Sequence, residues 1–238
     1  MIYLDPEVEY TNIMTWITRL VGKNITPKHF KEKLAKELTK RHPVRVKLYR
    51  PEQENFEEDE FTIGADYDCD LDQMGKKHIT INLFINKDKR LYWPITVEIA
   101  SRFALELTEA LVHEYQHQKQ YRGRKYATSK LAYTSNHRDY DRKQEQEYLG
   151  HPDELDAYAA NIASRIWLMR TALNTNITHE NCESLDLSNY YKTFGKKHSV
   201  VLDLLSRIQQ HLTYLEDVKN GKIKRPRSIR STIRKPRL

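Results

Sequence analysis

The stretch Leu111-Val112-His113-Glu114-Tyr115-Gln116-His117 constrains this chain more than any other. It reads H-E-x-x-H and lies inside a helical pattern running from about Ile95 to Tyr121, where Phe103, Leu107, Ala110 and Leu111 make an apolar stripe. Four residues along an α-helix advance about 6 Å and turn a side chain by about 40°. His113 and His117 therefore project from one face, a turn apart. Two imidazoles so placed reach one tetrahedral zinc ion at about 2.0–2.1 Å. Glu114 stands a further quarter-turn round, where it holds a water beside the metal rather than the metal itself. The alternative is a pair of solvated helix histidines. Because the three residues continue the apolar stripe, the ligand reading is the stronger one.

The rest of the chain sets the frame for that motif. It has 238 residues, 39% hydrophobic and 31% charged, a balance that suits a folded soluble protein with a sizeable core. No apolar run approaches membrane-spanning length, and the first ten residues lack a signal-peptide pattern. Cys69 and Cys182 stand far apart, so neither a disulfide framework nor a cysteine zinc site is expected, and a reducing, cytoplasmic setting is. The net charge of +7 is unevenly placed. Residues 222–238 hold eight basic side chains and no acid; removing those eight from 40 leaves 32 against 33 acids. Lys222, Lys224, Arg225, Arg227, Arg230, Arg234, Lys235 and Arg237 thus form a basic, flexible tail that would bind nucleic acid or an acidic partner. An opposite bias sits at Pro51–Asp72, with ten acids and no Lys or Arg.

The order of elements predicts an α+β fold, mostly helical, with a small sheet before the motif helix. Ile13, Trp16, Ile17, Leu20 and Val21 recur at helical spacing within 6–21, and Gly22 stops that helix. Thr26-Pro27 is an N-cap with proline at the first helical position, opening a helix that buries Phe30, Leu34 and Leu38. Val44–Tyr49 alternates as a half-buried strand, and a short strand is expected at Phe61–Ile63. Asp66, Asp68, Asp70 and Asp72 alternate as in a calcium loop but lack its twelfth-position Glu, so a solvated acidic loop is expected instead. Ile79, Ile81, Leu83 and Ile85 mark another strand, whose mixed side (His78, Thr80, Asn82, Phe84) could border a cleft. Asn86–Lys89 makes a turn. An edge strand ahead of the motif could hold an extended peptide by main-chain pairing.

Beyond His117, the stretch 118–148 interleaves Tyr and Arg (Arg122, Arg124, Tyr126, Tyr133, Arg138, Tyr140 and Arg142 among them), with Gly123 to break the helix. It fits an ordered loop over the site better than a nucleic-acid surface, although such mixtures also stack bases. A second helix opens at Pro152, with Leu155, Tyr158, Ala159, Ile162, Ile166 and Met169 as its buried stripe. Glu154 stands in its first turn beside that stripe, where a carboxylate completes a His, His, Glu zinc set. A short helix is expected at 183–194, and an amphipathic one from Val200 to about Val218. Residues 1–221 then make one domain.

His113-Glu114-x-x-His117 with Glu154-x-x-Ala157 on a downstream helix resembles the zincin metallopeptidases, most of all the gluzincin branch and the small zincin-like peptidases of phages and bacteria. The resemblance covers about residues 78–170. It implies zinc on His113, His117 and Glu154, with Glu114 as general base and then acid. The chain departs from thermolysin-like enzymes in having no Asn before Glu154 and Tyr158 where an Asp would stand, which leaves Asp156 and His137 as rival third ligands. No further His stands at metzincin spacing.

The chemistry this implies is metal-assisted hydrolysis of peptide bonds, with Tyr148 and Tyr158 as candidates to steady the oxyanion. Two other readings stand beside it. One is a DNA-associated, SprT-like protease recruited by its tail, although the nearby third His of that group is unmatched. The other is a structural or virion interaction protein built on a peptidase-like fold. No membrane partner is expected.

Overall fold

The computed structural model describes residues 4–49, 61–85, 92–127, 142–178, 182 and 185–224. The fold is α+β and mostly helical, with a small mixed sheet ahead of the motif helix. By internal packing the expected single stretch 1–221 divides into two compact units, residues 8–114 and residues 115–224 with 4–7. The motif helix, α4 (Val97–Gly123), contributes its first part to one and its remainder to the other.

In the first unit α1 (Pro6–Ile17) is shorter than its apolar pattern suggests. The chain tightens into a 3₁₀ turn at Thr18–Leu20, where the Thr18 hydroxyl donates back to Met14 O at 2.8 Å, and Gly22 then takes φ +75°. Gly22 N–H donates to Ile95 O, next to the small ladder of β1 (Asn24–Ile25) and β5 (Trp93–Pro94). Helix α2 (Pro27–Leu38) opens as expected, the Thr26 hydroxyl accepting from His29 N–H at 3.2 Å. Its fully buried Phe30, Leu34 and Leu38 are its core face, and the helix packs on β2 (Val44–Tyr49).

The sheet order is β2, β4, β3, with β4 (Ile79–Ile85) parallel to β2 and antiparallel to β3 (Phe61–Tyr67). Val44, Val46, Ile79, Ile81, Leu83 and Ile85 supply the buried side. Two expectations are corrected here. Strand β3 runs four residues past Ile63, because it pairs with the whole of β4. The strand at His78–Ile85 is central, which leaves β2 and β3 as the edges of the sheet. The aspartates are not a solvated loop either. Asp66 is in β3, Asp68 caps α3 (Cys69–Gln73) by accepting from Leu71 N–H at 2.9 Å, and buried Asp72 accepts from the Tyr67 hydroxyl at 2.8 Å beside His78. That alternation belongs to a strand-to-helix corner.

An aromatic knot joins these elements to α4. Phe103 of α4 meets Phe30 edge-on at 5.1 Å, Phe61 at 5.4 Å and Trp93 at 6.2 Å, with Arg102 over the Phe61 ring at 4.3 Å. The first half of α4 is thus set by packing. At the start of the chain, buried Glu9 stands 3.0 Å from Arg41 and 3.1 Å from His42. Burial opposes its charge, yet both partners outweigh that and hold the carboxyl below its ordinary value.

The second unit is helical: the end of α4, then α5 (Arg142–Leu149), α6 (Pro152–Thr171), α7 (Leu185–Phe194) and α8 (Ser199–Lys219). The stretch expected as a loop over the site is helical at both ends, through Gly123 and from Arg142; residues 128–141, with Tyr133, His137, Arg138 and Tyr140, lie outside the described residues. Pro152 starts α6, and the His151 ring caps it by accepting from Asp153 N–H. Ala157, Ala159, Ala160 and Ala163 are fully buried on α6, which packs extensively with α8. Arg124 at the end of α4 reaches both carboxylate oxygens of Asp153 at 2.8–2.9 Å, tying α4 to the first turn of α6. Among the described residues no helix is long and apolar enough to cross a membrane.

Phe103→Ala is expected to destabilise the protein by about 3–5 kcal/mol in chemical denaturation, since a fully buried ring with three aromatic neighbours leaves a cavity. Glu9→Gln is expected to cost about 1.5–3 kcal/mol at neutral pH. The lowered Glu9 pKa means its contribution is complete above the ordinary value of 4.5 and is lost as pH falls through the depressed one. The gap between wild type and Glu9→Gln should close in acid; a gap that widens would show the sign to be wrong.

Candidate metal centre

His113 and His117 sit a turn apart on the unbroken α4, and Glu154 is in the first turn of α6. One donor atom from each lies within 4.8 Å of the other two, and among the described residues this is the only His, Cys, Asp or Glu group so arranged. His117 Nε2 is 3.4 Å from Glu154 Oε1. Two ligands at 2.0–2.1 Å from a tetrahedral ion stand about 3.4 Å apart, so this pair is already at the spacing that zinc requires. Glu114 is 5% exposed, and all three donor residues are half-buried. Two imidazoles and one carboxylate are a donor set that suits zinc.

The ring orientation of His117 is determined by what stands behind it. Its Nδ1 is 3.0 Å from Gln120 Oε1, one turn further along α4. The Gln120 amide nitrogen donates to Asp153 O at 3.0 Å and reaches Asp156 Oδ2 at 3.5 Å, so its oxygen is the end that faces the ring. A carbonyl oxygen only accepts, hence Nδ1 carries the proton and the Nε2 lone pair points to Glu154. That is the supporting bond a metal-binding imidazole needs.

Asp156, a rival for third ligand, is engaged elsewhere. Gln116 donates to its Oδ2, and His211 of α8 is 3.0 Å from its Oδ1. Burial works against the charge, but hydrogen bonds from His211 and Gln116 hold the carboxyl far below its usual range. His137, the other rival, lies outside the described residues.

Tyr148 and Tyr158 gather around Glu154. The Tyr148 hydroxyl is hydrogen-bonded with both Tyr158 and Glu154; burial first, and then those neighbours, push its phenol well above the ordinary value. Tyr190 completes the cluster, its ring edge-on to Tyr158 at 5.6 Å and its hydroxyl donating to Leu149 O at 2.9 Å. The geometry therefore puts both expected tyrosines at the third donor. Of the tail residues, exposed Lys222 pairs with Asp217 at 3.1 Å and Lys224 is exposed; Arg225, Arg227, Arg230, Arg234, Lys235 and Arg237 lie outside the described residues.

Sequence patterns alone do not single out Gln116, Gln120, His211 and Tyr190. Gln120 has a visible signal, a polar residue three positions after His117 on the same helix face. So has His211, which occupies the buried stripe of α8 between Ile208 and Leu215. Gln120→Ala should weaken zinc binding about 10–100-fold, read by competition with a chelator of known affinity. Unchanged affinity would show that Gln120 does not orient the ring.

Comparison of the chain with protein-family models, with curated proteins and with solved structures found no match.

Proposed function

We propose that the chain is a zinc-dependent peptidase of zincin type, with zinc on His113, His117 and Glu154 and a peptide as substrate. The observation that carries this reading is the convergence of three donors beside a buried carboxylate, Glu114, that is not one of them. A zinc ion held there would supply Lewis-acid polarisation of a carbonyl and lower the pKa of a water.

The chain's own residues divide the remaining work. Glu114 takes the proton of the attacking water and returns it to the departing amine. Gln120 keeps the His117 lone pair forward, and Asp156, itself held by Gln116 and His211, backs the Gln120 amide. Tyr148 keeps its proton to high pH and so stays a hydrogen-bond donor, first to Glu154 and, in this reading, to the developing oxyanion. The sheet, then the motif helix, then a helix with the third donor is the element order a zincin would have.

Glu114→Gln tests this directly. Zinc content and thermal stability should match wild type, while hydrolysis of unfolded casein or peptides falls by about 10²–10⁴. Loss of zinc in this variant would make Glu114 a ligand. Zinc-loaded wild type that cleaves neither casein nor any peptide of a mixed library would overturn the peptidase reading.

A further inference from the structure

Helices α2 and α4 cover one side of the β2, β4, β3 sheet, where Phe103 lies against Phe30 and Phe61. Strand alternation turns the intervening residues to the other side, in rows set by the register: Arg45 beside Thr80, Lys47 beside Asn82, Tyr49 beside Phe84. Arg45, Lys47 and Tyr49 are exposed, and Phe84 is half-buried. The Tyr49 and Phe84 rings stack with centroids 5.3 Å apart and planes inclined by 22°. Next to that pair stands Gly64 of β3. A Cβ there would meet only Asn82 and Phe84 side chains, at 3.8 and 3.9 Å, so packing does not demand glycine; its effect is a gap beside the Phe84 ring. At the Arg45 end, exposed Lys76 and Lys77 lead into β4. Among the described residues none of these four cations has an ion-pair partner, unlike Arg41, Arg124 and Arg207. The carboxylate in these rows, Asp66, already accepts from the Asn82 amide.

Stacked rings beside unpaired positive charge suit unpaired nucleobases and their phosphates. Every base has a π-face that stacks on an aromatic ring, and Arg and Lys meet the backbone that joins the bases. Residues on one side of a strand repeat about every 6.6 Å, so Arg45, Lys47 and Tyr49 stand in a line along β2. A duplex keeps its bases stacked on one another and offers these rings nothing. An acidic peptide would use the charges and leave the rings idle. We propose that this side of the sheet binds a single-stranded nucleic acid, with bases on Tyr49 and Phe84 and phosphates along Lys47 and Arg45. The surface lies outside the peptidase reading and shares no residue with the metal centre.

The test uses the full-length protein, so that whatever the basic tail binds is common to every variant. A short fluorescein-labelled oligothymidine is titrated by anisotropy over a range of salt concentrations, beside a duplex of the same length and a polyglutamate peptide. Tyr49→Ala should weaken oligothymidine binding about 5–150-fold in salt high enough to suppress the tail. Tyr49→Leu keeps apolar bulk on the strand and should weaken binding nearly as much, with an unchanged melting temperature. Arg45→Gln combined with Lys47→Gln should lower the slope of log affinity against log salt by about 1.4, two phosphate contacts on a single strand. With 5-iodouracil in the strand, ultraviolet crosslinking and mass spectrometry should mark Tyr49 or Phe84. Crosslinks confined to residues 222–238 would overturn the proposal, as would wild-type affinity in Tyr49→Leu. Duplex bound as tightly as single strand would also sink it, and polyglutamate bound as tightly as oligothymidine would give the surface to an acidic partner instead.

Discussion

Helix α4 must keep polar side chains out of water along its second half, and the candidate site depends on how that is met. Glu114, Gln116 and Gln118 are at most 5% exposed, on a helix whose first half is buried by Phe103, Ala104, Leu107 and Leu111. A buried amide or carboxylate left without a partner costs about 1–3 kcal/mol, so several on one helix would unfold it unless neighbours answer them. Asp156 answers one of them, accepting from Gln116, and stands within reach of the half-buried Gln120. His211 neutralises the cost of burying Asp156 in turn. The polar half of α4 is therefore specified by α6 and α8 as much as by its own sequence.

This explains the division between what the chain reveals as text and what it does not. The motif helix, the Thr26-Pro27 and His151-Pro152 starts, the alternating strands and the helix before Gly221 are all local patterns. They are legible because helical and strand periodicities and proline positions act within a few residues. Partner choice is not local. Glu154 and Asp156 are two carboxylates two residues apart, and no pattern says which faces His117 and which faces His211, 55 positions away. Asp72 is similar: an alternating acidic run reads as solvated until β3 and β4 pair and bring Tyr67 and His78 to it. Buried charge with a distant partner is the least legible kind of residue, and Glu9 with Arg41 and His42 is a third case.

Resemblance and geometry meet at different residues. The H-E-x-x-H and downstream Glu pattern supports a zincin reading, and its departures fall at Tyr158 and around Glu154. Tyr158 stands where that pattern would have an Asp, whereas Asp153, directly before Glu154, is itself a carboxylate. Tyr148 bonds to Glu154 and Tyr158, and Tyr158 packs edge-on against Tyr190. Beside Glu154 stands Tyr148, whose phenol keeps its proton, and orientation of His117 falls to Gln120 and Asp156.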